Sequence, residues 1–174
     1  GLSAQLSSRT LKRVYHAIVW GVPTPAAGRV ETYIGRHPTN RKKMAVLEEG
    51  KGREAITDYK VKQAFGLAAC LVECRLQTGR THQIRVHMSH IGHHLVGDPV
   101  YAKASPARFL KLHKVPLEAA AAITHFSRQA LHAAQLEFIH PISKNKISLQ
   151  APLPTDMAAL LETLQQGYNN KDTP

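Results

Sequence analysis

Residues 68–92 read Ala-Ala-Cys-Leu-Val-Glu-Cys-Arg-Leu-Gln-Thr-Gly-Arg-Thr-His-Gln-Ile-Arg-Val-His-Met-Ser-His-Ile-Gly, and the hydrophobic period changes partway along them. Ala68, Cys70, Val72, Cys74 and Leu76 share one face, with Glu73 and Arg75 on the other, the period of a half-buried strand. Beyond Gly79, Ile84, Met88 and Ile91 recur at i, i+4 and i+7, which is one apolar face of a helix. The stretch is therefore a strand that passes through a glycine-containing turn into a short helix. Thr81 is placed to cap that helix with its side-chain oxygen, and Gly92 to end it. With Ile84 facing inward, Arg85 lies about 100° round the helix, and His82 and Ser89 fall near it. A guanidinium at the edge of a packed helix is suited to fork onto a carboxylate or a phosphate.

Outward from this unit, strand signals prevail. Val14–Trp20 is rich in β-formers and ends at Gly21-Val22-Pro23. Further strands are expected at Arg29–Ile34, Met44–Leu47, Ala55–Ala64, from Arg128–His132 through Phe138, and at Ile147–Gln150. Residues 106–126 read as two helical pieces broken around Pro116, and Asp156–Gln165 as a final amphipathic helix. A weak helical pattern covers residues 2–12, with Leu2, Leu6 and Arg9 on one side, and Asn169–Asp172 reads as a frayed end. Strands outnumber helices and several are hairpin-spaced, so the expected class is α+β with a mixed, mainly antiparallel sheet and flanking helices. No repeat or domain linker is visible.

The 174 residues suffice for one domain with a real core. No apolar run approaches bilayer length, and the first residues carry no signal-peptide pattern. Twenty-three Lys and Arg against 12 Asp and Glu give a net charge of +11, which points first to a polyanion, usually nucleic acid. The loop Gly35-Arg36-His37-Pro38-Thr39-Asn40-Arg41-Lys42-Lys43 is a candidate phosphate contact. Cys70 and Cys74 are the only cysteines. On one strand they stand about 13 Å apart, too far for a disulfide, and read as buried thiols of a reducing, cytoplasmic protein.

Several chemistries lack their residues. No Gly-x-Ser-x-Gly elbow, phosphate-binding glycine loop or dinucleotide fingerprint occurs. His87, His90, His93 and His94 crowd together, but zinc sites usually add Cys or carboxylate ligands and need convergent geometry, so no metal is expected.

Gly79 to Tyr101, with its Gly92-His93-x-x-x-Gly97-Asp98-Pro99-x-Tyr101 continuation, closely resembles a motif of the RluA/RluD-like family of RNA pseudouridine synthases. Lys12-Arg13-Val14-Tyr15-His16-Ala17-Ile18-Val19-Trp20-Gly21, Arg128-Gln129-Ala130-Leu131-His132-Ala133, His140-Pro141 and Ala151-Pro152-Leu153-Pro154 extend the resemblance over essentially the whole chain. The resemblance implies a pseudouridine synthase fold and an isomerase without a cofactor. Such enzymes break the uridine N-glycosidic bond, turn the base and rejoin it through C5. It implies Tyr15 as the tyrosine that packs on the base and serves proton transfer. Arg85 is implied as the arginine that salt-bridges the nucleophilic aspartate, and Ile84 as part of the pocket wall. Arg80, Thr81, His82, Gln83, Arg128, Gln129 and His132 are the further candidates for RNA contact. The expected partner is RNA, with 23S-type ribosomal RNA preferred and transfer RNA possible.

One element of the family pattern has no match. Its nucleophile lies in a His-Arg-Leu-Asp motif, whereas the aspartates here are Asp58, Asp98, Asp156 and Asp172. Asp98 falls in a Gly-Asp-Pro turn, where it is expected to bond turn amides. Residues 1–174 are therefore expected to form a partial catalytic domain that lacks the upstream nucleophile segment and is inactive alone, with part of its sheet edge uncovered. The alternative is a non-catalytic RNA-binding module on the same scaffold.

Overall fold

A computed structural model describes residues 1–8, 10–102 and 106–169. Seven strands, β1 (Lys12–Trp20), β2 (Ala27–Arg36), β3 (Met44–Leu47), β4 (Arg53–Phe65), β5 (Ala69–Leu76), β6 (Leu131–Ile139) and β7 (Lys146–Gln150), form one sheet in the order β3-β2-β4-β5-β1-β6-β7. Five helices accompany it: α1 (Leu2–Ser7), α2 (Gln83–His90), α3 (Pro106–Leu112), α4 (Leu117–His125) and α5 (Thr155–Asn169). The α+β expectation holds, and every strand pairing is antiparallel. The sheet edges are β3 and β7, while the first strand lies well inside, between β5 and β6. The side chains of Leu6 and Arg9, and residues 170–172 of the expected frayed end, lie outside the described residues.

Side-chain alternation assigns the two faces of the sheet. Ala17, Val19, Cys70, Val72 and Cys74 pack with Ile84 and Met88 of α2. Ile18, Phe65 and Ala69 face the other way, against Ala119 and Ile123 of α4 and Met157, Leu160 and Leu164 of α5. Both faces of the central strands are thus covered, and Ala17, Ile18 and Val19 are all fully buried in succession. That double covering explains why alternation is clear along β5 yet weak along β1.

The helix that organises the sequence departs from expectation in two ways. Thr81 does not cap it. His82 occupies the N-cap in the left-handed region (φ 57°, ψ 21°) with no side-chain cap bond. The turn is closed instead by Gln83, whose Oε1 accepts from Thr78 Oγ1 (2.8 Å) and the Arg80 amide (2.9 Å). Its Nε2 donates to Ile56 O (2.9 Å) and Thr57 Oγ1 (3.0 Å). Nor is α2 an amphipathic helix with one apolar stripe. Gln83, Ile84, Arg85, Val86, His87 and Met88 are all buried, because Val86 faces a separate cluster with Ile34 and Ala55 and the turn at residues 95–101 closes over the remaining side.

Candidate active site

Arg85 leaves α2 beside Ile84 and meets Asp98 in a two-pronged ion pair, Nε to Oδ2 and Nη2 to Oδ1, both at 2.8 Å. The side chains are 9% and 0% exposed. Asp98 Oδ1 also accepts the amides of Val100 (2.8 Å) and Tyr101 (3.0 Å), as expected for an aspartate opening a turn. Burial alone raises the Asp98 carboxyl, but the Arg85 fork and these two amides outweigh it and hold the group below its ordinary value. Arg85 is raised by the same contact. Gly97 lies just ahead at φ +69°, and a Cβ there would strike Phe126 O at 2.7 Å, so only glycine lets the 126–128 backbone approach the turn.

Tyr101 completes the network. Its ring lies under the Arg85 guanidinium, 4.9 Å from Cζ to centroid. Its hydroxyl accepts the Met44 amide (2.9 Å) and is hydrogen-bonded to His82 Nδ1 (2.9 Å). Burial and the neighbouring Arg85 charge lower the His82 pKa, which favours the neutral imidazole. Met44 follows the basic loop, so exposed Arg36, Arg41 and Lys42 stand on the segment that leads into the site.

Tyr15 lies on β1 opposite Cys74 and Ala133. It packs in the same apolar cluster as Ile84 and lines a shallow cavity of about 240 Å³ with Arg13, Ala133, Ala134 and Leu149. Tyr15, Ile84 and Arg85 are thus on one side of the sheet. An apolar surface bearing one aromatic ring suits a base taken out of its stack.

The other candidates divide. Arg80 donates from Nε to Glu54 O (2.7 Å), and Thr81 is exposed in the same turn. Gln83 is 2% exposed with all its amide positions bonded, so it has no group left for a nucleic acid. Arg128 forks onto Asp156 at 2.7 and 2.8 Å and also donates to Gln129 O (3.0 Å). It ties the entry of β6 to the start of α5. Gln129 is half-buried beside it. His132 pairs with His16, one step from Leu131 of the Tyr15 cluster, and so faces the opposite side of the sheet. His132 therefore lies on the face of the sheet that α5 covers, away from Tyr15.

His87 is also scaffold. It is fully buried, with Nδ1 2.8 Å from Thr57 Oγ1 and Nε2 2.9 Å from Thr32 Oγ1. Thr57 Oγ1 also accepts from Gln83, so the imidazole and the Gln83 amide share one anchor on β4. Burial pushes this imidazole down to about 4. The thiols of Cys70 and Cys74 are free and pushed up to about 12 by burial, which makes them poor nucleophiles.

Sequence reasoning did not single out Tyr101, which meets both His82 and Arg85, or Arg13, which lines the Tyr15 cavity. Arg13 stands two places before Tyr15 on the same strand face, a signal legible from alternation alone.

The model of the RNA pseudouridylate synthase family matches residues 1–90. The chain belongs to this family. It is 45% identical over 170 residues, 98% of its own length, to a ribosomal large subunit pseudouridine synthase D of Zymomonas mobilis, of which it covers 50%. A protein of the same name from Nitrosomonas europaea is 47% identical over 164 residues, 94% of this chain and 44% of the relative. The chain thus spans about half the length of the curated pseudouridine synthases it matches. Among solved structures, human RNA pseudouridylate synthase domain containing 4 superimposes with a TM-score of 0.71 at 27% identity, over 94% of this chain and 66% of that one. These pseudouridine synthase likenesses agree with the α+β sheet described above.

Proposed function

We propose that this chain forms the Tyr15–Arg85 part of the active site of an RNA pseudouridine synthase that acts on uridine in large-subunit ribosomal RNA. The observation that carries the reading is the immobilised Arg85 guanidinium on the helix whose Ile84 packs in the Tyr15 cluster. Nε and Nη2 are engaged by Asp98, whereas Nη1 bonds to none of the described residues, and it is the nitrogen available to a second carboxylate. A partly buried nucleophilic carboxylate needs such a cation to stay ionised.

None of the described aspartates is free to be that nucleophile. Asp98 has both oxygens occupied in a site 2% exposed. Asp58 is forked by Arg29 (2.7 and 3.2 Å) and bonded by Gln77, and Asp156 by Arg128. Asp172 lies outside the described residues. We assign the nucleophile to sequence outside residues 1–174, so this chain alone is inactive. In the reaction the carboxylate would bond to C1′ as the N1–C1′ bond breaks. The base would turn against Tyr15, and C5 would bond to C1′ as the carboxylate–C1′ bond breaks and frees the carboxylate, the C5 proton then leaving toward Tyr15 and N1 gaining a proton, so uridine and product remain isomers.

The test is release of tritium from C5 of labelled ribosomal RNA, compared between this chain and a form extended at its N-terminus. Activity confined to the extended form is expected. There, Arg85→Lys, which keeps the charge but loses the planar fork, lowers turnover by at least about 100-fold while RNA affinity changes little. Near-normal turnover of that variant would remove Arg85 from the mechanism. Silence of both forms, with RNA binding retained, would favour the binding-module reading, for which the complete ion-pairing of Asp58, Asp98 and Asp156 speaks.

A further inference from the structure

The most unusual cation among the described residues is Arg13. Its Nε is buried with no hydrogen-bond partner, and it takes part in none of the ion pairs found. Its guanidinium lies close against Gly79 of the turn leading into α2. A Cβ on Gly79 would collide with Arg13 Nη1 and come within 3.3 Å of Cζ and Nη2. The glycine therefore creates the space the guanidinium fills. Arg13 is also shared between two hollows. One is the cavity that holds Tyr15. The other, about 400 Å³, is lined by Lys12, Arg13, Arg75, Gln77, Gln135 and Glu137 among others. Arg75 is held by Glu73 (2.8 Å), and Glu137 is met by Lys146 (3.0 Å) and by the charge of Lys12, its partner across the strands, so the cation on this hollow without a carboxylate is Arg13.

A guanidinium kept without a carboxylate, beside an aromatic surface for a base, has the chemistry to receive a phosphodiester. We propose that the Lys12–Arg13 hollow receives the RNA backbone next to the nucleotide whose base lies on Tyr15. Arg13 binds a backbone phosphate there, and Gly79 sets its position. This rests on the RNA reading above and adds to it a positioning residue and the path of the flanking strand.

The experiment is fluorescence anisotropy of a fluorescein-labelled 12-nucleotide single-stranded RNA containing uridine, titrated with the 174-residue chain at several KCl concentrations. Arg13→Ala is expected to weaken binding roughly tenfold and to make the slope of log affinity against log salt shallower by about 0.7. Arg13→Lys should recover most of the slope, since the charge remains. Gly79→Ala should weaken binding although Arg13 is present, and the double variant Arg13→Ala/Gly79→Ala should be no weaker than Arg13→Ala. Lys51→Ala, in the exposed turn between β3 and β4, should bind as the parent does. Parent-like affinity and slope in Arg13→Ala would overturn the assignment while leaving the RNA reading intact. So would weakened binding with an unchanged slope and a lowered unfolding midpoint, the mark of a merely structural arginine. Absence of any salt-sensitive RNA binding by the parent chain would overturn the RNA reading together with this one.

Discussion

Two forked arginine–aspartate pairs with nearly identical geometry stand in opposite environments. Arg85–Asp98 closes at 2.8 Å on both prongs with side chains 9% and 0% exposed. Arg128–Asp156 closes at 2.7 and 2.8 Å with side chains 39% and 45% exposed. In water the Coulomb gain of such a pair is small and offset by side-chain ordering. In the interior each partner depends on the other, because a lone buried charge has lost its hydration. The inner pair therefore fixes an arginine at one place and orientation, at a cost in desolvation, whereas the outer pair fastens β6 to α5 and little more. That contrast separates an arginine held in place from one that fastens two elements together.

The largest stability effect should come from breaking the inner pair. Asp98→Asn leaves Arg85 buried without a counter-charge and is expected to cost about 3–5 kcal/mol, read as a lowered urea midpoint of Trp20 fluorescence. The Asp98 carboxyl is held below its ordinary value, so the unfolded chain binds a proton more readily than the folded one. The pair's contribution is complete above the unfolded carboxyl value and is lost as pH falls through the folded one. A variant as stable as its parent would mean that the inner pair is no more interdependent than the outer.

A second test asks whether the scaffold beneath Arg85 is itself pH-sensitive. His87 is pushed from an ordinary 6.5 to about 4, so between those values the unfolded chain takes up a proton that the folded chain refuses. Stability contributed by the neutral ring is full above about 6.5 and lost as pH falls toward 4, by on the order of 3 kcal/mol. His87→Gln keeps one donor and one acceptor for Thr32 and Thr57 and removes the titration. Its stability should vary less between pH 6.5 and 4 than the parent's. Equal slopes in that window would place the acid sensitivity elsewhere.

This same region marks where sequence stops being informative. Strand β3 is legible to the residue, Met44–Leu47, because turn residues bracket it. The break near Pro116 is legible because proline cannot continue a helix. The roles of the polar residues on α2 are not. Arg85, Gln83 and His87 are equally hydrophilic on paper and equally hidden in the fold, yet Gln83 and His87 hold the helix to β4 and β2 while Arg85 pairs with Asp98. What separates them is the partner each finds across the sheet, Thr57 for Gln83 and His87 and Asp98 for Arg85, between 13 and 30 residues away in the chain. Thr81 failed as a cap for the same reason. Gln83 reaches back to Thr78 and Arg80 and so closes the turn from inside. Asp98 was legible as a turn former, and its second role, holding Arg85, emerges only when the turn folds over α2.

The smallest effect belongs to the outer pair. Asp156→Asn retains an oxygen for the Met157 amide, which Asp156 Oδ1 accepts at 2.8 Å, and removes only the charge that Arg128 meets. Both side chains are well exposed, so the expected loss is under about 1 kcal/mol. Because the attraction acts through solvent, it should shrink further between 0.1 and 1 M KCl, where the screening length falls from roughly 10 to 3 Å. The inner pair, shielded from mobile ions, should show no such convergence of Asp98→Asn with its parent. A salt series on the two variants side by side measures burial directly. If Asp156→Asn were as damaging as Asp98→Asn, and equally indifferent to salt, the β6–α5 junction would have to be counted among the structures that hold the site in place.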